Sequence, residues 1–416
     1  MRRRTYLATA TAAAVAGCTE LGSSDPDEEP HDDVPTDDDP PPLEGPDEDG
    51  TLEGFATLEG WSVVAGVASM IEEDASVGDR SVLLEAGVED DAARIVRELP
   101  EPVDWSGASP GLAVAAEEPI TVLLQAFDDD GNVIDFRTTI HGSEELRRCN
   151  FGVAGIGDDA DLGAISEIHV AFFASDDAER ELLFDDLHLV SRPDDGLVTL
   201  QFDGGDESIH DEGLTILGEY GYPATAFVPT DLIREEADHD GNRLTESQLE
   251  DLDDAGWTIA SYTANGGLLP DLEADEQADQ FAEAREWLED EGYDDGAGYV
   301  SYPAGQYDDR SLELAEGTYD LGFAGRYPVQ GYVADPVRYP RVVDPDIEDA
   351  EAILDRTADL GGITALCYHA LEDDALDRFE ETMAYLDDLV DDGALEVIGP
   401  RTLETEYVAD GGDGGR

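Results

Sequence analysis

The sequence has few basic residues. Lysine and arginine together number 22, against 103 aspartate and glutamate residues, which gives a formal net charge of −81 at pH 7. Because nucleic acids and anionic lipid headgroups are bound through basic side chains, we expect neither as a partner. Self-repulsion on this scale opposes compaction in dilute salt, whereas at about 1 M salt the screening length shrinks to roughly 3 Å. The composition therefore predicts a halophilic protein that folds in concentrated salt.

Cysteine is also scarce. Cys18, Cys149 and Cys367 are the three cysteines of the chain. The latter two fall in different predicted domains, which argues against a structural disulfide, and two isolated thiols make no metal motif. We expect both to be small buried residues. Beyond the first 18 residues, no apolar run approaches the ~18 residues needed to span a bilayer.

The N-terminus has the pattern of an export signal. Three consecutive arginines precede a small apolar run, which ends at Cys18. This pattern resembles a twin-arginine signal joined to a lipoprotein cleavage box, in which the cysteine becomes lipidated. The alternative is a short buried helix with an incidental cysteine. We predict that residues 1–18 are this signal and that Cys18 anchors the exported protein to the membrane at the cell surface.

The segment that follows is acidic and almost free of apolar side chains. Residues 19–50 contain runs of aspartate, glutamate and proline. Such a composition cannot form a packed core and self-repels. We predict an acidic, extended linker that holds the folded body away from the membrane.

Residues 51–193 contain short apolar runs separated by turn residues. Ile168, Val170 and Phe172 alternate as a strand requires, and residues 128–132 supply hairpin chemistry between two runs. Several short strands without a long helical stripe predict a β-sandwich, jelly-roll-like in form.

The last run of this region, residues 183–190, resembles the final strand of jelly-roll carbohydrate-binding modules. That resemblance implies sugar binding, for which an exposed Trp61 or Trp105 would serve as the contact surface. The alternative is an inert spacer in which both tryptophans lie in the core.

From residue 196 the pattern changes to strands that alternate with helices. We predict strands at 197–202, 224–228, 258–261 and 299–302, and helices at 212–220, 245–254 and 276–291. This alternation predicts parallel pairing and an α/β barrel or layered sheet. Functional groups in such folds collect at the C-terminal ends of the strands.

Segments at those strand ends resemble the polysaccharide deacetylases, the NodB homology family, over a domain that we place at residues 196–408. The family's first motif, Thr-Phe-Asp-Asp-Gly, corresponds to Gln-Phe-Asp-Gly-Gly at 201–205. The turn at 301–307 and the sequence Leu-Cys-Tyr-His at 366–369 match the family's layout. The resemblance implies a deacetylase-type (β/α) barrel.

The resemblance also implies roles for individual residues. In active members, one aspartate of the first motif is the general base, while the other binds a divalent metal with two histidines, and a late histidine is the acid. By position, Asp203 is the base and His369 the acid. The three metal ligands fall on Gly204, Tyr262 and Gly266. A zinc-like cofactor is therefore not expected at the family's position.

Other residues leave alternatives open. A relocated metal site would use Asp206 and His210, but aspartate is so abundant here that a nearby carboxylate means little. Ser301 stands where the family commonly has an arginine. We take Tyr262, Tyr302 and Arg341 as the candidate substrate-binding residues, listed with the catalytic candidates Asp203 and His369.

Two functions from different classes remain. The first is a surface protein that binds carbohydrate on a deacetylase-type barrel lacking the family's metal catalysis; Arg341 would pair with Asp203 either as part of a sugar cleft or as inherited packing. The second is an active carbohydrate hydrolase, either a deacetylase with a relocated metal or a glycosidase with paired carboxylates.

Overall fold

The computed structural model describes residues 43, 46, 50–72, 74–174, 178–235, 241–325, 327 and 331–409. The predicted signal, with Cys18, and nearly all of the predicted linker lie outside the described residues. The described residues belong to one compact unit. No helix among them is both long and apolar enough to cross a membrane.

The described part of residues 51–191, here called the β region, is built from strands. As the alternating pattern predicts, residues 120–128 and 165–173 are among them, and no helix occurs in the described part of this region. The twelve strands are β1 (Thr51–Glu53), β2 (Ser62–Ala65), β3 (Val67–Glu72), β4 (Arg80–Ala86), β5 (Ala92–Val103), β6 (Ala108–Ala116), β7 (Ile120–Asp128), β8 (Val133–Ile140), β9 (Ser143–Asn150), β10 (Gly152–Ile156), β11 (Ile165–Phe173) and β12 (Arg180–Ser191).

These strands form two antiparallel sheets. One has the order β3-β4-β12-β6-β9, with β1 beside β12, and the other has the order β10-β8-β7-β11-β5-β2. Buried side chains of both sheets, such as Phe184 of the first and Phe136 of the second, belong to one hydrophobic cluster. The hairpin predicted at residues 128–132 is present, because Asp128 Oδ1 accepts hydrogen bonds from the backbone of Asp130 and Asn132.

The two tryptophans of the β region are part of its core. Trp61 is 8% exposed and Trp105 is fully buried, and both belong to the shared hydrophobic cluster. The hypothesis that an exposed tryptophan binds sugar is therefore wrong for both residues. A sugar-binding face built on aromatic stacking needs an accessible ring, which neither residue provides.

Residues 196–406, here called the α/β region, alternate strands and helices as predicted, with bounds within one or two residues for most elements. The strands are β13 (Gly196–Asp203), β14 (Thr225–Val228), β15 (Thr258–Ser261), β16 (Tyr299–Ser301), β17 (Leu321–Ala324), β18 (Tyr339–Pro340), β19 (Val342–Val343), β20 (Gly362–Tyr368) and β21 (Leu395–Val397). The α-helices are α1 (Leu214–Tyr220), α2 (Glu246–Asp254), α3 (Ala274–Glu291), α4 (Asp309–Thr318), α5 (Ile347–Leu360), α6 (Asp374–Asp391) and α7 (Pro400–Glu406). Short helical turns of other types lie at Ile209–Gly213, Thr230–Leu232, Leu269–Asp271 and Pro303–Gly305.

Helix starts in this region follow from their capping residues. Thr245 Oγ1 accepts a hydrogen bond from the backbone N–H of Gln248, and the backbone N–H of Thr245 donates one to Gln248 Oε1. This reciprocal cap satisfies two backbone groups that the first turn of α2 leaves unpaired. Asp346 caps α5 in the same sense, by accepting from the N–H of Asp349.

The strands of the α/β region pair in parallel in the order β18-β17-β16-β15-β14-β13-β20-β19, with β21 beside β13. The first and last members of this series, β18 and β19, are separated only by Arg341. Tyr339 and Pro340 pair with β17, while Val342 and Val343 pair with β20. Residues 339–343, here called the closing segment, therefore join the two ends of the sheet into a nearly closed barrel, as the alternation predicts.

The β region and the α/β region are joined by polar contacts. Ser143 Oγ donates to Asp309 Oδ1 at 2.7 Å, and the backbone N–H of Glu144 donates to Asp309 Oδ2 at 2.8 Å.

Cys149 and Cys367 are both buried free thiols, as expected. Burial raises the pKa of Cys149 to about 11. Neither thiol is placed to react at ordinary pH.

Candidate functional site

Asp203 is the last residue of β13, all eight of whose residues are buried. Gly204 and Gly205 follow with φ of +86° and +62°, a conformation that side chains rarely adopt. These glycines turn the chain sharply at the strand end. Asp203 is thereby held at the C-terminal edge of the barrel, where parallel strands deliver functional groups.

Asp203 forms a buried, bidentate ion pair with Arg341 of the closing segment. Arg341 Nη1 donates to Asp203 Oδ1 at 2.9 Å, and Nη2 donates to Oδ2 at 2.5 Å. Both side chains are at most 2% exposed. Burial, the largest single influence, lowers the pKa of Arg341, but the charge and hydrogen bond of Asp203, with contributions from Cys367 and Tyr262, together outweigh it and raise that pKa. Two parallel hydrogen bonds fix the geometry of the pair.

Ser301, at the end of β16, completes this network. Its hydroxyl donates to Asp203 Oδ2 at 3.0 Å and accepts from Arg341 Nη2 at 2.7 Å. The resemblance places an arginine of the family at this position. Here the guanidinium that contacts the carboxylate comes instead from Arg341, and the short serine leaves room for it.

His369 follows β20 and pairs with Asp344. Its Nδ1 lies 2.7 Å from Asp344 Oδ2, and its backbone N–H donates to Asp344 Oδ1 at 3.2 Å. The hydrogen bond to Asp344 raises the pKa of His369, burial opposes it, and the Asp203 charge adds to the increase. Because Asp344 holds Nδ1, the Nε2 atom is left to face other groups.

Asp203, Arg341, Asp344 and His369 line one cleft of about 800 Å³. The closing segment and the start of α5 form much of its wall. The β region also contributes to it, through Arg137 of β8 and Ala154 of β10. Arg356 of α5 lines the same cleft, whose volume is within the usual range for small-molecule binding pockets.

The residues at the family's metal positions do not fit a metal. Gly204 and Gly266 offer no side-chain ligand. A Cβ on Gly266 would lie 3.3 Å from Pro229 Cβ, which is tight, and 3.5 Å from a ring carbon of Tyr262, which is ordinary contact. A Cβ on Gly204 would lie 3.3 Å from Arg243 Nη1. A cation beside that guanidinium would be repelled.

Tyr262 is also committed elsewhere. Its hydroxyl accepts a hydrogen bond from the backbone N–H of Ala304 at 3.0 Å. Burial, with a further contribution from Asp203, raises the pKa of Tyr262 to about 12. A phenol that stays protonated at ordinary pH is a poor metal ligand. Tyr262 is not among the residues that line the cleft.

Asp206 and His210, the relocated metal site of the second hypothesis, are each engaged with other partners. Asp206 accepts from Ser208 Oγ at 2.6 Å and from Asn242 Nδ2 at 2.7 Å. His210 contacts Asp211 at 3.0 Å and Asp251 at 3.2 Å. Within the described ranges, no group of three His, Cys, Asp or Glu side chains is placed to hold a metal ion.

Tyr302 does not reach the cleft. It was expected to contact substrate, but its side chain is fully buried. Its ring packs 5.8 Å from Tyr307 and 6.4 Å from Phe281. The prediction for Tyr302 is therefore wrong, because the strand end at Ser301 directs the following ring into the core between α3, α4 and the sheet.

Three residues of the cleft were missed by sequence reasoning. Asp344 is one of 103 acidic residues and has no motif of its own, although it follows the closing segment directly. Arg356 lies in the middle of a helix, and Arg137 lies in the other region of the fold. The scarcity of basic residues is the one signal that points to these two arginines.

Residues 191–319 match the family model for polysaccharide deacetylase. The C-terminal half of the chain therefore carries a polysaccharide deacetylase-like domain, as the motifs predict.

Among curated relatives, the "Putative polysaccharide deacetylase YxkH" of Bacillus subtilis (strain 168) is 29% identical over 132 residues. The aligned part covers 32% of this chain and 45% of the relative, so the chain spans less than half the length of the curated relative it matches. Similar solved structures include a family 4 acetyl xylan esterase from Clostridium thermocellum, with 13% identity and a TM-score of 0.37 over 50% of this chain and 90% of the other. A family 4 carbohydrate esterase from Streptomyces lividans has 16% identity and a TM-score of 0.35 over 50% of this chain and 95% of the other.

Proposed function

We propose that the α/β cleft binds carbohydrate without the metal-dependent deacetylation of the family it resembles. The observation that supports this proposal is that the predicted acid and base positions hold suitable side chains, whereas the metal-ligand positions do not. Asp203 and His369 keep their strand-end positions and their charged partners, whereas the metal positions hold Gly204, Tyr262 and Gly266. Asp203 alone provides general-base assistance of typically ~10²- to 10⁴-fold, well below usual enzymatic accelerations of ~10⁶-fold or more.

The test is to measure glycan binding and acetate release on the same protein, purified in concentrated salt. We expect saturable binding to members of a broad glycan panel and no acetate release from N-acetylated or O-acetylated oligosaccharides. Absence of binding across the panel would overturn the proposal. So would metal-dependent acetate release that a chelator and Asp203→Asn both abolish.

A second candidate, an active hydrolase, has one observation in its favour. Asp203, Asp344 and His369 line the same cleft, so acid and base groups lie within reach of one ligand. Against it, each oxygen of Asp203 already accepts a hydrogen bond from Arg341. Release of reducing sugar or acetate that is lost in His369→Gln would favour this candidate over simple binding.

We further propose that the protein is exported and anchored at the cell surface by a lipid on Cys18. The arginine-led apolar run that ends at this cysteine supports the proposal. Cys18→Ser should release the protein from the membrane fraction or stall its processing. Unchanged membrane association would contradict the assignment.

We also propose that the fold depends on concentrated salt. A net charge of −81 leaves most carboxylates without a basic partner. The unfolding temperature should rise steeply between dilute and molar salt. A salt-independent unfolding temperature would overturn the halophilic interpretation.

A further inference from the structure

Arginine is the only strongly basic residue type in this chain. The sequence contains 22 arginines and no lysine, against 103 acidic residues. Most described arginines are paired with a carboxylate or a backbone carbonyl. Arg356 is different. Within the part of the chain that the structure describes, its guanidinium makes no hydrogen bond or ion pair, and its Nε is buried without a partner.

The position of Arg356 on α5 directs it to the cleft. Asp346, Asp349, Ile353 and Arg356 are spaced three or four residues apart, so they lie on one face of the helix. All four line the cleft. Arg356 is therefore the positively charged residue on the face of α5 that lines the cleft.

The surroundings leave the charge of Arg356 incompletely compensated. Burial lowers its pKa, while the charges of Asp349 and Asp355 act in the opposite direction. Neither carboxylate forms an ion pair with it within 4 Å. A partly buried guanidinium without a close counter-charge gains more from an anionic ligand than an exposed one does.

A second arginine of the cleft comes from the β region. Arg137 lies on β8, and its nearest carboxylate contact is a long one, 3.4 Å to Asp135. Arg341, the third arginine of the cleft, already donates hydrogen bonds to Asp203 from both Nη1 and Nη2. Arg137 and Arg356 are therefore the two guanidinium groups with donors to offer.

The carboxylates that line the cleft are mostly engaged. Asp203 is bound by Arg341, and Asp344 by His369. Asp346 accepts from the backbone N–H of Asp349. Of the lining carboxylates in the described residues, Asp346 and Asp349 have no cationic partner, so Arg137 and Arg356 must offset these two charges when an anion binds.

We propose that the cleft takes an anionic saccharide, one that carries a carboxylate or sulfate group, and that Arg356 and Arg137 bind that group. This inference rests on the proposed function, because it names the class of carbohydrate for the same cleft. The planar, forked donors of arginine match carboxylate and sulfate oxygens in pairs. Direct contacts of this kind in a partly buried cleft are screened by salt much less than surface charges are.

The experiment uses matched ligands that differ only in charge. Binding of oligogalacturonate and of its methyl ester is measured by calorimetry in molar potassium chloride, on the full chain. A κ-carrageenan oligosaccharide and its desulfated form supply the sulfate arm. We expect the charged member of at least one pair to bind about tenfold or more tightly than its neutral counterpart.

Variants then locate the contact. Arg356→Gln should remove the preference for the charged ligand, while Arg356→Lys should restore part of it, because lysine keeps the charge but loses the forked donors. Arg137→Gln is an independent second test. Arg378→Gln is the matched control, since Arg378 is also a helical arginine with no side-chain partner in the described residues but does not line the cleft.

The outcomes separate the two proposals. Equal binding of charged and neutral ligands, unchanged in both cleft variants, would overturn this inference and leave carbohydrate binding intact. A charge preference that Arg378→Gln removes as fully as Arg356→Gln would overturn it as well. If no glycan of the broad panel binds at all, the proposed function falls and this inference falls with it.

Discussion

The two sides of the strand-end site differ in how they are held. On one side, Asp203 and His369 are each fixed by a charged partner, Arg341 and Asp344. On the other side, the positions after β13 and β15 hold two glycines with positive φ and a phenol bonded to backbone. The comparison shows that Asp203 and His369 are tied into the framework of the barrel by charged partners, whereas Gly204 and Gly266 offer no side chain to the site.

The most severe way to test this comparison is to break the buried pair. Arg341→Gln leaves the Asp203 carboxylate buried without its counter-charge, so the free energy of unfolding should fall by about 3–5 kcal/mol. Chemical denaturation in concentrated salt measures the change. Arg401→Gln, which breaks an exposed pair with Asp295, is the control and should cost well under 1 kcal/mol. A similar small effect for both variants would show that the pair is not structural.

A second test rebuilds the other side. Gly204→Asp, Tyr262→His and Gly266→His together supply the three missing ligand types. We expect zinc binding in the triple variant, with reduced stability in its metal-free form, because left-handed backbone costs roughly 1–2 kcal/mol at each former glycine. Zinc content and thermal unfolding with and without zinc measure both effects.

Tyr262→His alone is the control for the triple variant and should bind no zinc, because one imidazole does not make a site. The opposite finding is also informative. Stoichiometric zinc on the unmodified protein, lost in Asp206→Asn or His210→Gln, would contradict the comparison and favour the relocated site.

The smallest expected effect concerns the His369–Asp344 pair. Asp344→Asn should lower the pKa of His369 towards its ordinary value, because the hydrogen bond to the carboxylate is the main cause of the increase. NMR titration of the imidazole in concentrated salt measures it. Asp211→Asn, beside His210, should leave His369 unchanged. An unaltered His369 pKa in Asp344→Asn would show that the pair does not control this imidazole.

The same shift makes a pH-dependent contribution to stability. The pKa of His369 is raised in the folded state above its unfolded value of about 6.5. Its stabilising contribution is therefore complete below that pH and is lost as the pH rises through the folded-state pKa. In Asp344→Asn this part of the pH dependence should be reduced.

The sequence predicts the α/β region well because its signals are local. Strand ends follow from the alternation of apolar runs and helices, and Asp203 and His369 follow from their motifs. The closing segment could not be predicted, since it consists of two-residue strands on either side of Arg341. Its pairing depends on two distant strands rather than on its own composition.

Errors in the site have equally physical reasons. Tyr302 and Tyr262 are both aromatic residues just beyond a strand, but one enters the core and the other bonds a neighbouring turn. The choice depends on packing against α3 and α4, which no single motif encodes. Asp344 could not be predicted, because nothing in the sequence distinguishes the carboxylate that pairs with His369 from the many other acidic residues.

The closing segment couples the shape of the barrel to the chemistry of the cleft. Its five residues bond to β17 on one side and β20 on the other, and its central residue holds Asp203. If β18 separates from β17, or β19 from β20, the barrel opens along that strand pair. The same movement carries the Arg341 guanidinium away from Asp203. The backbone amides of this segment that bond to β17 and β20 should therefore exchange with solvent only when the whole barrel unfolds, so that a protein with an assembled barrel is also one with an assembled cleft.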